Sequence, residues 1–482
     1  MALRKSGSIL ALAAMLSACG GGGGDNSVVS LPPGGGTPTP TPTPIGTTCS
    51  LQSRQNWAFE QINQFYLFPE TLPASLSPAP YGSVQAYIDA LTATARSQGR
   101  DRFFTFITSI AEENAFLASG ATAGFGIRLS YDSPSSRVFV LDAFEGAPAL
   151  AAGIDRGAEI LAIGTSSGNL QTVTALFAEG GAAAVSSALG PSTAGTSRVL
   201  RFRDAAGNQT TTTVSKADFA LQPVSPRYGV QILDNGGTPT GYVNLRTFID
   251  SAEPQLRDAF LQFRNAGITE LVIDLRYNGG GLVRTAELFA DLLGRNRFAS
   301  EVQSVTRFRP SLAANNSTRN FQAQPQSVAP TRIAFITTAA SASASELVIN
   351  AMIPYLDADM ALIGSDSFGK PVGQIGQDRA DCDDRIRIVA FATENAACNA
   401  NYFNGLASSL ANSCQAPDDI SLPLGDPGEA STAQALGFLA GAACTPIGGS
   451  ATARQRTAIT QPRELLMPAQ PTPAQREVPG SF

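Results

Sequence analysis

Between Gly229 and Cys444, short apolar runs alternate with stretches of helical spacing, and this alternation restricts the fold more than any other feature of the chain. The runs Gly241–Leu245, Leu271–Leu275, Arg332–Thr337, Ala361–Gly364 and Arg387–Ala390 predict strands. Glu253–Ala266, Ala286–Leu293 and Glu346–Met352 predict helices, with Pro254 tolerated in the first turn of its own. Helices that separate buried strands imply a mostly parallel α/β core. In such a sheet chemistry gathers at the carboxyl ends of strands, where loops lead into helices.

The 482 residues include no histidine, which excludes Ser-His-Asp triads, Cys-His dyads and His-ligated metals. Acid-base work near neutral pH then falls to a carboxylate, thiol or amine with a shifted pKa. Of the 33 basic residues, three are lysines: Lys5, Lys216 and Lys370. Arg stays protonated, whereas a buried Lys can lose its proton. A GC-rich coding bias would also leave few lysines, so the count ranks candidates and does no more. The net charge of −6 is mild, and no basic patch points to nucleic acid.

Three segments fall at predicted strand ends. In Asp274-Leu275-Arg276-Tyr277-Asn278-Gly279-Gly280-Gly281, glycines let the backbone approach a ligand and aim N–H groups at a developing oxyanion. Taken alone, that run is a glycine-rich turn, with Asp274 and Arg276 as a structural ion pair. In Ser341-Ala342-Ser343-Ala344-Ser345-Glu346, small residues expose a hydroxyl at a helix N-terminus, although serines there also serve as caps, a job open to Ser341 or Ser345. The third segment is Ser367-Phe368-Gly369-Lys370-Pro371-Val372-Gly373-Gln374. Gly364 to Lys370 satisfies the start of a phosphate-binding loop, but Pro371 stands where a Mg-binding Ser or Thr belongs and lacks an N–H, so a nucleotide site is rejected. With no His available, Lys370 is the natural base for a serine nucleophile. Its pKa must then fall from about 10.4 toward neutrality, which burial beside Phe368 and Gly369 can supply.

The chain upstream divides by composition. Residues 1–19 read as an export signal: Arg4 and Lys5, the apolar Ile9–Leu16, then Ser17 and Ala18. Leu16-Ser17-Ala18-Cys19 resembles the lipobox of bacterial lipoproteins, which implies acylation of Cys19 and, with Gly20 following, an outer-membrane position facing the periplasm. An ordinary signal cut without lipid is the alternative. Residues 20–50 form a Gly-, Pro- and Thr-rich tether, and 449–482 a Pro- and Gln-rich flexible tail. In 51–118 the aromatic positions Trp57, Phe59, Phe65 and Tyr66 recur at helical spacing and predict a helical cap. Over 119–220 the order changes: strands at Val138–Leu141 and Glu159–Ile163, helices at Ala147–Gly153 and Val173–Leu189, and a hairpin turned at Ala206-Gly207. Headed by Gly124-Phe125-Gly126-Ile127, this order resembles a PDZ domain. A small α/β domain with turn glycines is the plainer reading. Export favours disulfides, and proximity suggests Cys382 with Cys398 and Cys414 with Cys444.

Ser-Ala-Ser-Ala-Ser-Glu, then Phe-Gly-Lys and a Gln four places after the Lys, resembles the C-terminal processing peptidases. With the PDZ-like segment and the Asp-Leu-Arg-x-Asn-x-Gly-Gly run, the likeness covers residues 50–445. It implies a multidomain α/β protein: helical cap, PDZ-like domain, and a crotonase-like ββα protease core over 221–448. By resemblance Ser343 is the nucleophile, Lys370 the general base and Gln374 its orienter. Ala344 and either Gly279 or Gly280 supply oxyanion N–H groups, and Phe125, Gly126 and Ile127 capture a substrate's free C-terminus. Protein or peptide substrates are implied, with no cofactor, metal or nucleotide. Gly279 departs from a usual Pro, Pro371 from a usual Gly and Gly373 from a usual Val. The Ser-to-Lys separation is longer than usual, with the extra residues expected in the Pro354–Met360 turn. The competing readings are an inactive peptide-binding lipoprotein and a crotonase-like acyl-transfer enzyme.

Overall fold

The computed structural model describes residues 47–448 and 463–482. The expected signal segment with Cys19, nearly all of the expected tether and residues 449–462 lie outside them. A six-stranded sheet forms the centre, in the order Val230–Asn235, Thr238–Asn244, Glu270–Asp274, Arg332–Thr337, Met360–Gly364, Asn412–Gln415. The first pair is antiparallel and the other four pairings are parallel. Both faces are covered, which is why the strands read as nearly continuous apolar runs. On one face Leu256, Ala259, Phe260 and Phe263 of the helix Ala252–Asn265 pack with Phe289, Leu347 and Val348 of the two following helices. On the other, Leu436 and Phe438 of the helix Ala430–Leu439 cover Val272, Ala334, Ile336 and Ile363.

The run Arg387–Ala390 does form a strand, but not in this sheet. It belongs to Asp384–Glu394, which pairs antiparallel with Phe106–Ser109, Val302–Phe308 and Val372–Arg379. Burial alternates along Asp384–Ile388, as in a sheet with one covered face, and a short apolar run does not distinguish the two cases. Its covering layer comes from the region expected to be a helical cap. Ala58, Ile62 and Tyr66 of the first helix and its following residue, with Tyr87, Ile88 and Leu91 of Val84–Leu91, pack on Ile386, Ile388 and Val389. That region also contributes the strand Phe106–Ser109, so it is built into the sheet and is not a separate helical cap.

Cys414 and Cys444 are bonded as expected, whereas Cys382 joins Cys49 across 333 residues and Cys398 is left exposed and unpaired. Sequence proximity misled here because Cys49 reaches the turn around Cys382 through the cap's packing on the sheet.

Residues 121–220 hold a second sheet, of seven strands, whose main path runs Glu464–Leu465, Ile127–Asp132, Arg137–Ala143, Glu159–Gly164, Ser197–Arg203, Gln209–Ser215. Helices Pro148–Ala151 and Val173–Leu189 accompany it, and Gly207, at φ 91°, turns the hairpin. The first strand of this order comes from the segment expected to be a flexible tail. From Arg463 to Phe482 the chain is packed: Leu466, Ala474, Val478 and Phe482 are buried, and the Thr472 hydroxyl caps the helix Pro473–Glu477. A Pro- and Gln-rich composition conceals three apolar anchors spaced four apart.

Candidate active site

The three glycine- and serine-bearing loops leave the carboxyl ends of three neighbouring parallel strands, Glu270–Asp274, Arg332–Thr337 and Met360–Gly364. Asn278 ties the first loop to the second. Its carbonyl accepts from Ala342 N at 3.0 Å and from Ser345 Oγ at 3.1 Å. Ser341 Oγ donates to Leu275 O at 2.7 Å. Ser341 and Ser345 therefore lock the loops together and do not cap the helix. Asp274 and Arg276 form a buried pair at 2.7 Å, extended by Glu429 at 2.9 Å and by the Tyr242 hydroxyl at 2.8 Å, which is a structural role.

Ser343 stands at the head of the helix Ala344–Leu356 with φ 57° and ψ −112°. A non-glycine residue there carries strain on the order of 1–3 kcal/mol, which the surroundings must over-determine. Gly280, at φ 122°, packs so closely that a Cβ would lie 2.9 Å from Ser343 Cβ. The glycine loop can approach the serine turn because it lacks side chains.

The residue that fixes this geometry is one that sequence reasoning passed over. Glu346, fully buried, accepts on one oxygen from Ser343 N at 3.0 Å and Lys370 N at 2.8 Å. On the other it accepts from Gly369 N and Ser367 Oγ, both at 2.6 Å. Two backbone nitrogens that share one oxygen are at most the sum of those two bonds apart, so the Ser343 and Lys370 turns are held as a pair. The glycine-lysine nest that would cradle a phosphate in a nucleotide loop is filled by this carboxylate. Burial pushes the Glu346 carboxyl up, and its four donors oppose that shift.

Lys370 is half-buried, with its amine 4.9 Å from the Phe104 ring centroid. Nζ donates to Gln374 Oε1 at 2.8 Å, and Gln374 Nε2 in turn donates to Phe104 O. Burial lowers the pKa of the amine, against the attraction of Glu477, Asp101 and Glu346. Arg102, also unremarked in the sequence, shapes this turn by donating to Phe368 O at 2.6 Å and Gly369 O at 2.7 Å. Among the described residues no hydrogen bond joins Lys370 Nζ to the Ser343 hydroxyl; the amine faces Gln374.

The departures from the family pattern have local partners. A Cβ on Gly373 would fall 2.0 Å from the Phe391 ring, so Phe391 occupies the space of a valine. Pro371 spends no N–H, and its carbonyl accepts from Thr393 N at 3.0 Å, which anchors the strand that carries Gln374.

Of the expected oxyanion donors, Ala344 is the first residue of its helix and has no intrahelical acceptor for its N–H. Gly279 N donates to Glu477 O at 3.1 Å. Gly280 N donates to the Asn278 side chain at 3.0 Å within its own loop. In the seven-stranded unit, Gly126 N and Ile127 N point at Phe482 O, at 2.9 and 3.3 Å. Phe125 is fully buried, in the same apolar cluster as Phe482. Lys216 is buried too, donating to Gly190 O at 2.9 Å with its pKa lowered to about 8 by burial and Arg198, so it is no surface remnant.

A cleft of about 890 Å³ opens beside these loops, lined among others by Phe104, Phe368, Tyr277, Gly279, Lys370 and Glu477. Its walls are mostly apolar, with Lys370, Gln374, Arg102, Arg476 and Glu477 among the polar groups that line it.

Residues 239–394 match the model of peptidase family S41. The chain is 24% identical over 329 residues to the chloroplastic carboxyl-terminal-processing peptidase 3 of Arabidopsis thaliana, covering 66% of this chain and 57% of that relative. Against the chloroplastic C-terminal processing peptidase of Tetradesmus obliquus the identity is 30% over 185 residues, 36% of this chain and 38% of the relative. The chain thus spans less than two thirds of those relatives. Among solved structures it is similar to one from Bacteroides fragilis NCTC 9343 described as an S41 protease, with a TM-score of 0.59 and 21% identity over 80% of this chain and 97% of that one. At that identity the likeness is one of fold.

Proposed function

Because this chain belongs to the C-terminal processing peptidases of family S41, we propose that it is a serine endopeptidase working through Ser343 and Lys370. The observation that carries the reading is the Glu346 carboxylate, which binds the backbone of both residues, beside an amine whose pKa burial has lowered. In the proposed reaction the Ser343 oxygen attacks a peptide carbonyl while its proton passes to neutral Lys370. The oxyanion forms opposite Ala344 N–H at the helix N-terminus, where the dipole favours negative charge. As the tetrahedral adduct collapses, the Lys370 ammonium returns the proton to the leaving amine. Neutral once more, Lys370 takes a proton from the water that attacks the acyl ester, and it returns that proton to the Ser343 oxygen as the carboxyl product leaves. Gln374 orients Nζ throughout.

Ser343→Ala and Lys370→Ala are each expected to reduce hydrolysis of an unstructured protein by at least about 1,000-fold with the fold intact. Lys370→Arg should fail equally, since Arg does not deprotonate. Retained cleavage by any of the three, with folding checked by circular dichroism, refutes the dyad. The inactive peptide-binding alternative draws on one observation, the direction of Nζ toward Gln374; a fluorophosphonate probe that leaves Ser343 unlabelled would favour it.

The proposal extends to recognition and place. The seven-stranded unit works as a PDZ domain, receiving a substrate's carboxyl-terminal segment at Gly126 and Ile127, and the six-stranded unit as a crotonase-like protease core. Cys19 is the acylated residue that ties the protein to a bacterial outer membrane; loss of labelled-palmitate incorporation in Cys19→Ser checks it.

A further inference from the structure

The free edge of the strand Ile127–Asp132 is covered along its length by one segment of the same chain. Glu464 and Leu465 pair with Tyr131 and Ser130, and Leu466 N donates to Leu129 O at 3.0 Å. The segment then leaves the edge, forms the helix Pro473–Glu477 and returns. Leu129 N donates to Gly480 O at 2.8 Å, and Phe482 N to Ile127 O at 2.9 Å. Phe482 O takes the Gly126 and Ile127 N–H groups, and its ring is buried with Phe125, Leu466 and Val185. This is strand addition to a sheet edge, the mode by which extended peptides are recognised through backbone bonds plus a pocket for a side chain.

Between its two returns to the edge, the segment crosses the catalytic cleft. Glu477 O accepts from Gly279 N at 3.1 Å, and the Glu477 side chain is the leading source of attraction on the Lys370 amine. The Arg476 guanidinium lies 3.8 Å over the Phe106 ring. Position 279 accounts for part of this fit. A Cβ there would sit 2.9 Å from Arg476 O and Glu477 O, and a proline would have no N–H for the bond. Gly279 is the residue that admits the segment.

We propose that residues 463–482 are a tethered ligand of this chain's own groove and cleft, which holds the enzyme closed until an extended peptide carrying a large apolar residue displaces them. The inference rests on the peptidase reading. Being part of the same chain, the segment competes intramolecularly, so a substrate must reach a high concentration or carry a second contact to win.

The test compares the full chain, a chain ending at Gln461, and the double variant Val478→Asp, Phe482→Asp. A fluorescent peptide of residues 472–482 should bind the shortened chain at least tenfold more tightly than the full chain, and a version ending in Asp should not bind. Both altered chains should cleave an unstructured protein at least about tenfold faster than the full chain. Addition of the unlabelled peptide should reverse the gain in the shortened chain. A peptide that binds neither chain overturns the docking. Peptide binding to the shortened chain with no rise in cleavage, while Ser343 labels equally in both, overturns the closure. If no chain cleaves or labels, the peptidase reading has failed, and the peptide-binding arm still decides the docking. The double variant covers the case in which the shortened chain does not fold.

Discussion

The two sides of the cleft are built on different principles. On the Ser343–Lys370 side a fully buried carboxylate takes four donors, three of them backbone N–H groups. On the Gly279 side residues 463–482 make one backbone hydrogen bond, to Gly279 N, beside the Glu477 and Arg476 side chains at Lys370 and the Phe106 ring. A neutral hydrogen bond that water or another peptide can replace contributes about 0.5–1.5 kcal/mol net. A buried charged acceptor is another matter, because its loss strands several donors at once, at about 1–3 kcal/mol each. The parts that must not move are fixed by bonds costly to break, and the parts that must open are held by bonds that exchange.

The largest effect should therefore follow from Glu346→Ala. It leaves the Ser343, Gly369 and Lys370 N–H groups without an acceptor and releases a Ser343 backbone that is held at positive φ. Denaturant unfolding should show a loss of roughly 3–5 kcal/mol, and cleavage should fall below detection. Glu346→Gln, which keeps the volume but turns an amide N–H toward two of the donors, should lose about 100-fold in activity with a smaller stability change. A Glu346→Ala chain that cleaves within a few-fold of the parent would break the comparison, since the serine and lysine turns would not then depend on their shared acceptor.

What could be read from the sequence follows the same division. Strands of the parallel core were legible because both their faces are buried, while Ser343 and Lys370 were singled out by the absence of histidine and by a resemblance, not by any periodicity. Glu346 was quoted as part of its motif and given no role; what marks it is burial among donors from another loop, which no local pattern records. The Cys49–Cys382 bond spans 333 residues, so proximity in sequence pointed elsewhere. The Arg387–Ala390 run was placed in the wrong sheet because four residues, three of them apolar, do not carry a period. The 463–482 segment was hidden by its composition: its backbone is bonded to a sheet edge and needs few apolar side chains of its own.

The finer question is whether Gln374 belongs to the fixed side. Lys370 is a base only when neutral, and burial has lowered its pKa, so cleavage should rise with pH through that lowered value and level off above it, before the usual lysine range. Gln374 Oε1 accepts from Nζ at 2.8 Å, and an acceptor favours the ammonium over the amine. Gln374→Leu should therefore move the rise to lower pH while kcat drops about tenfold, because Nζ loses its aim. Gln374→Glu places a negative charge at the same distance and should move the rise to higher pH. Shifts of opposite sign from two substitutions of similar size mark direct action on the amine, since a packing defect would not reverse with the charge of the side chain. Measured as kcat against pH on one peptide substrate, two profiles that stay on the parent's midpoint would remove Gln374 from the site and leave Lys370 oriented by burial alone.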